Sequence, residues 1–344
     1  MKIVIEEYSS DWRILFELEK EKLESVLGNS SIIEHIGSTA VEGLGAKPII
    51  DIMIGVTDFT QVSNYIQPIV ELGYTYVYAY EDVMPYRRFL TKEKDGMRTH
   101  HIHMIEKDTE FWVRHLSFRD CLQNNIADRE AYFNLKKELA EKEWKDGNDY
   151  AAAKTEFIKA IEKKISNQRQ YRQGSETVHL VIRPLSIKDA EDWVPFFINN
   201  PSDKFLALSF NASPPLEQSK SWIERQLVRY RENRYGLLAL TDKITGKLVG
   251  MCGLLTQEVD SQHELEIGYH LLPAYWGKGL ATEAAVHFKR FAFDNNITDS
   301  VISIIHINNT LSQRVAEKNG MRKTMHTTYY NMPICIYRVY KDED

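Results

Sequence analysis

The chain has 344 residues, 43% of them hydrophobic and 27% charged, with a formal net charge of −6 at pH 7. At roughly 100–200 residues per domain, this length predicts two domains, and a net negative chain gives no direct sign of DNA binding. Cys121, Cys252 and Cys335 are odd in number and lack a C-x-x-C pair, which argues against a disulfide framework or zinc cluster and fits a reducing cytosol. The opening MKIVIEEYSSDW is acidic where a leader would be basic and then apolar. No apolar run approaches the ~18 residues that span a bilayer. The expectation is a cytoplasmic protein with no membrane association.

In chain order, Ile3–Ile5 reads as a short strand, and Trp12, Leu15, Phe16, Leu18 and Leu23 suit one face of a helix. Ile32–Ile36 leads into a Gly-Ser turn, and Pro48–Val56 reads as a buried strand. Tyr74–Tyr80 and His100–Ile105 are strand-like, and the pattern is helical from Glu110 to Lys164. The stretch Lys163–Thr177 is polar and contains Gly174, so the domains are placed at 1–165 and 178–344, with a linker at 166–177. The second half then reads as a strand (Val178–Ile182), two helices, a hairpin (Tyr235–Thr241 and Lys247–Thr256), a strand (Glu264–Leu272), a Gly-rich turn with a helix, a strand (Val301–Ile307), a helix (Thr310–Asn319) and two closing strands. Strands mixed with helices in both halves predict an α/β or α+β fold class.

In the first half, HIGSTAVEGLGAKPIIDI (His35–Ile52) places Gly37-Ser38 about a dozen residues before Asp51 on an apolar strand. That arrangement resembles the nucleotidyltransferase fold, in which Gly-Ser holds nucleotide phosphates. More closely, the segment resembles the GrpB-like family, which also matches at His101–His103 and Phe118–Leu122. The resemblance covers roughly residues 1–165 and implies a phosphate-bearing ligand, a nucleotide or other phosphorylated molecule, near Gly37, Ser38, Lys47 and Asp51. Catalytic nucleotidyltransferases usually carry D-x-D here, whereas this chain has Met53, and a thioether is a poor ligand for a hard cation. His101 and His103 share a strand face, and with Asp51 they form a candidate divalent-metal site. The alternatives are a catalytic nucleotidyltransferase or a nucleotide- or RNA-binding module that targets the second domain.

In the second half, Gly277-Lys278-Gly279-Leu280-Ala281 joins a strand to a helix. Glycines permit positive φ and close approach. The first-turn N–H groups of a helix lack intrahelical partners, so such a turn suits an anion. EIGY (Glu266–Tyr269), YWGKGLATEA (Tyr275–Ala284) and INNTLSQRVAEKNGM (Ile307–Met321) resemble the GNAT superfamily, in its ribosomal-protein acetyltransferase branch. The resemblance extends over about 165 residues. It implies an acetyl-CoA-dependent N-acetyltransferase whose acceptor is an amine: a protein N-terminus, a lysine or a small molecule. It assigns cofactor contacts to Trp276, Gly277, Lys278, Gly279, Leu280, Ala281, Thr282 and Asn309. Glu266 is the candidate base, acting through water, and Ser312 or a tyrosine is the candidate proton donor to the leaving thiolate. Tyr329 and Tyr330 are expected near the acceptor. The segment Asn200–Pro215, a candidate specificity loop, carries no readable code for the acceptor.

Overall fold

The computed structural model describes residues 2–28, 31–198, 200–206 and 213–343. Residues 207–212 of the candidate specificity loop therefore lie outside the described residues. The chain divides into two units, 1–165 and 166–344.

The first unit contains helices α1 (Asp11–Leu27), α2 (Ser63–Glu71), α3 (Glu110–Asn124), α4 (Ile126–Ala140) and α5 (Gly147–Ala152), and the start of α6 (Thr155–Gln173). Its strands are β1 (Ile32–Ile36), β2 (Ile50–Val56), β3 (Thr75–Tyr76), β4 (Arg87–Lys94) and β5 (Met97–Glu106), in sheet order β1-β2-β5-β4-β3. Strand β2 is antiparallel to β1 and parallel to β5. Ile50, Ile52, Ile54 and Val56 form one face and pack with Trp12, Phe16, Leu23 and Leu27 of α1, each such burial being worth about 1.5–3 kcal/mol. Alternation turns Asp51 and Met53 to the other face. Met53 is fully buried there with Ile36, Ile105 and Trp112.

Two expectations are corrected in this unit, and one strand lay outside them. Residues 3–5 form no strand; the segment is held by isolated bridges at Lys2 and Glu6. The Tyr74–Tyr80 run keeps only the two residues of β3 and then turns as a 3-10 helix. Strand β4 was not read at all, because its RRFLTKEK sequence is half-buried and charged toward its end.

The second unit has strands β6 (Ser175–Glu176), β7 (Leu180–Arg183), β8 (Leu237–Asp242), β9 (Leu248–Val259), β10 (Gln262–Leu271), β11 (Ser300–His306), β12 (Arg322–Tyr329) and β13 (Met332–Tyr340). They form one sheet in the order β12-β13-β11-β10-β9-β8-β7-β6. Helices α7 (Ala190–Trp193), α8 (Pro215–Arg231), α9 (Leu280–Asp294) and α10 (Thr310–Lys318) accompany it. Helix α9 is the crossover between the parallel strands β10 and β11, as parallel pairing requires. Its Ala284, Ala285, Phe288 and Ala292 join the core that includes Leu254 and Ile267.

The expected linker at 166–177 is not a free segment. Helix α6 runs to Gln173, and Tyr171 is 4% exposed in the core of the second unit. The Tyr171 hydroxyl donates to Gly236 O at 2.6 Å and accepts from Leu254 N at 2.9 Å. Ser175 and Glu176 then pair with β7. The pattern escaped notice because its buried positions are one glutamine, Gln168, and one tyrosine. Replacing Tyr171 by Phe leaves both backbone groups without that partner, so the variant is expected to lose about 1–3 kcal/mol, measured by denaturant unfolding of the full chain. An unchanged unfolding midpoint contradicts this role.

Candidate functional site

In the second unit, β10 and β11 share one register pair among the described residues, Glu266 with Ile302. Beyond it lies a cleft of about 350 Å³, walled by Glu266–Leu271 on one side and Ser303–His306 on the other. Ser303 Oγ donates to Ile267 O at 2.9 Å, so a side chain satisfies one carbonyl at the start of the opening. Gln257 Nε2 donates to the Glu266 carboxylate at 2.6 Å. Burial pushes the Glu266 carboxyl above its ordinary range, although the Gln257 hydrogen bond, the nearby Ile304 backbone N–H and Arg229 oppose that shift.

The floor of the cleft is the turn from β10 to α9. Gly277 and Gly279 have φ of +74° and +81°, and a Cβ at either would meet no atom within 4 Å. The glycines are therefore required by backbone conformation, and the space above them is open. Gly279 caps α9, and the first return bond is Glu283 N to Gly279 O, which leaves the N–H groups of Leu280, Ala281 and Thr282 at the helix entry. Glu283 anchors that end by accepting from His179 N at 2.8 Å.

Trp276 lines the cleft, and its Nε1 donates to Leu271 O at 2.8 Å, pinning the turn. Lys278 does not line it; its ammonium lies 4.9 Å from the centre of the Tyr275 ring. Asn309 caps α10 by accepting from Ser312 N at 3.2 Å, and both residues border the cleft. Tyr269, whose hydroxyl burial pushes up, donates to Ser312 O at 2.8 Å.

Sequence reasoning missed several neighbours. Gln257 was one: Tyr329, already expected nearby, donates from its Oη to Gln257 Oε1 at 3.0 Å, and Gln257 in turn braces Glu266. His270 lines the cleft against Phe196 and Trp222, and burial pushes its pKa down to about 4. Cross-strand pairing creates both groupings, and no local spacing announces them. Cys252 and Cys335 are buried in the core, as expected of structural residues.

In the first unit, Asp51 pairs in register with Ile36 on β1 and with His101 on β5, while Met53 pairs with His103. This brings Asp51, His101 and His103 to one face, with one donor atom from each within 4.8 Å of the others. Asp51 Oδ1 and His101 Nδ1 are 3.0 Å apart. Burial pushes the Asp51 carboxyl up, but His101, His103 and His35 together bring it below the usual range. Burial lowers His103 to about 3 and His35 to about 4, so both imidazoles are neutral.

Gly37 turns out to serve Asp51. Its φ is +71°, and a Cβ would lie 2.5 Å from Asp51 Oδ2. Ser38 lies near the Tyr132 hydroxyl, whose pKa burial raises. Lys47 lies 4.4 Å from the centre of the Tyr150 ring, and burial lowers its pKa. Two further lysines were not read from the sequence. Lys154 lies 4.4 Å from the same ring, lowered to about 8 by burial, and Lys136, lowered to about 7 by burial, donates to Gly45 O.

Residues 2–164 match the model of the family described as GrpB protein, and residues 179–322 match that of the acetyltransferase (GNAT) domain. A UPF0157 protein of Halalkalibacterium halodurans is 38% identical over 163 residues, covering 47% of this chain and 82% of the relative. The uncharacterized N-acetyltransferase YoaA of Bacillus subtilis is 27% identical over 150 residues, covering 43% of this chain and 82% of that protein. Among solved structures, the conserved protein GrpB from Enterococcus faecalis is 36% identical, with 47% of this chain and 96% of that one covered and a TM-score of 0.43. No helix among the described residues is long and apolar enough to cross a membrane.

Gly37→Ala is expected to destabilise the chain by about 1–3 kcal/mol from backbone strain alone, and the contact with Asp51 adds to that. A melting temperature equal to the wild type's would contradict the arrangement.

Proposed function

We propose, for a chain that belongs to the GrpB family through residues 2–164 and carries a GNAT acetyltransferase domain at residues 179–322, transfer of an acetyl group from acetyl-CoA to an amine. The amine is a protein N-terminus, a lysine or a small molecule. The observation that carries this reading is the cleft between the parted strands β10 and β11, which ends at a glycine turn with open space above it. The residues fit the cofactor. Gly277, Gly279 and the free N–H groups of Leu280, Ala281 and Thr282 would hold its pyrophosphate, and Trp276 and Asn309, which line the cleft, would contact its pantetheine arm. When bound, acetyl-CoA supplies an acetyl thioester as the electrophile.

The chain's own part is proton management. An acceptor amine is largely protonated at neutral pH and must lose a proton to attack. Glu266, braced by Gln257, takes that proton through water. Its raised pKa improves its match to the amine. Ser312, at the first turn of α10 beside the cleft, is the proposed donor of a proton to the thiolate.

For the first domain, we infer a phosphate-bearing ligand near Gly37, Ser38, Lys47 and Asp51. What supports it is the pair of partly buried lysines, Lys47 and Lys154, at the Tyr150 ring, both under the influence of Asp51, whose carboxylate backs Gly37. Ordinary two-metal nucleotidyl transfer is disfavoured, because the position after next from Asp51 is Met53, fully buried among apolar side chains. One carboxylate replaces the expected pair.

Gly279→Val is expected to weaken acetyl-CoA binding at least tenfold, about 1.4 kcal/mol, because φ of +81° excludes a β-branched residue. Glu266→Gln should keep that affinity and lower kcat by about 10²-fold or more. In the wild type kcat rises with pH as Glu266 loses its proton, above the ordinary carboxylate range, and this limb disappears in Glu266→Gln. Calorimetry with acetyl-CoA and pH–rate profiles provide the check; the reverse ordering of the two affinities contradicts the assignment.

A further inference from the structure

The cluster in the first unit holds an excess of unpaired positive charge. Lys47 follows the Gly-rich segment, and Lys154 lies in the turn between α5 and α6. Both ammonium groups sit 4.4 Å from the centre of the Tyr150 ring. Neither forms an ion pair with a carboxylate among the described residues. Each contact with the ring is weak, and like charges placed this close in a partly buried site repel. A ligand with two negative charges removes the repulsion.

Asp51 acts on both lysines electrostatically, so it faces the same region. A carboxylate beside a phosphoryl group repels it unless a cation lies between them. Asp51, His101 and His103 offer a seat for that cation, with one donor atom each inside a 4.8 Å span. His101 Nε2 is buried and has no hydrogen-bond partner.

We propose that this cluster binds the phosphoryl group of a small phosphate ester together with one divalent transition-metal ion. Asp51, His101 and His103 hold the metal, and Lys47, Lys154 and Ser38 hold the phosphoryl oxygens. The inference rests on the reading of the first domain as a phosphate binder, and adds Lys154, the metal and the coupling between them. Two imidazoles and one carboxylate suit a borderline ion such as Mn²⁺ or Zn²⁺ better than Mg²⁺, which prefers oxygen donors. A three-ligand set also leaves coordination positions for a phosphoryl oxygen. Arg87 sharpens the proposal. Its Nη1 lies 3.2 Å from His103 Nδ1, and arginine can only donate. A metal on Nδ1 displaces the guanidinium, and a metal on Nε2 puts the proton on Nδ1, so the contact breaks either way. Removing Arg87 should therefore tighten metal binding.

The test is Mn²⁺ binding by electron paramagnetic resonance on the full chain after chelator treatment, followed by titration with inorganic phosphate, with the melting temperature of each variant recorded. One Mn²⁺ per chain is expected, at least tenfold weaker in His101→Gln and tighter in Arg87→Ala. Phosphate should perturb the bound-Mn²⁺ signal. Lys154→Met should weaken phosphate at least tenfold while keeping Mn²⁺, and Lys154→Arg should restore part of the loss. Absence of bound Mn²⁺, or affinity indifferent to His101→Gln and Arg87→Ala, overturns the metal site. Phosphate binding that ignores Lys154→Met yet falls in Lys47→Met overturns the lysine pair and leaves the broader phosphate reading standing. No phosphate binding, with or without Mn²⁺, removes both.

Discussion

The candidate acetyltransfer site depends on two parallel strands that stop pairing. After Glu266 and Ile302, β10 and β11 share no further register pair among the described residues. Parting strands in the middle of a sheet exposes polar backbone that must find other partners. The chain answers with a side chain at the mouth: Ser303 Oγ donates to the Ile267 carbonyl, while Gln257 Nε2 holds the Glu266 carboxylate beside the last paired position. The same parting therefore opens the cleft and ties the candidate base to its edge. The crossover from β10 delivers the glycine turn and the start of α9 to the cleft floor, so one topological event assembles the anion-binding and proton-accepting ends together.

Much of this was legible in the sequence. The glycine turn, Asn309 and the helix after each are local devices: positive φ, an N-cap and a buried apolar face each leave a residue-level trace. The GrpB and GNAT domains were both identified from such segments, and the family matches agree. The candidate metal group was equally readable, because two histidines separated by one residue must share a strand face. What escaped was whatever depends on register or on distant elements. Gln257 and Tyr329 brace Glu266 from strands that nothing in the sequence aligns with it. Lys47 reaches the ring faced by Lys154 from more than a hundred residues away. The expected linker failed for a related reason: its one aromatic anchor, Tyr171, sits in the polar last turns of α6, past the apolar positions Phe157, Ile158 and Ile161.

The two units use glycine differently. At Gly37 the space is taken, since Asp51 Oδ2 occupies the place a side chain would need, and the glycine serves the carboxylate behind it. At Gly277 and Gly279 the space is open, and positive φ is the sole requirement within the chain. Open space over a helix entry with unspent N–H groups is what a pyrophosphate requires. Crowded space behind a carboxylate is what a fixed metal ligand or ion-pair acid requires.

The most direct test of the account is amide hydrogen exchange on the full chain, with and without acetyl-CoA, read by mass spectrometry at peptide resolution. The account predicts protection on binding in peptides spanning 266–271, 277–283 and 303–312, with the strands of the first unit unchanged. Protection confined to other segments, or none at saturating acetyl-CoA, would contradict the claim that the parted strands and the glycine turn form the cofactor site.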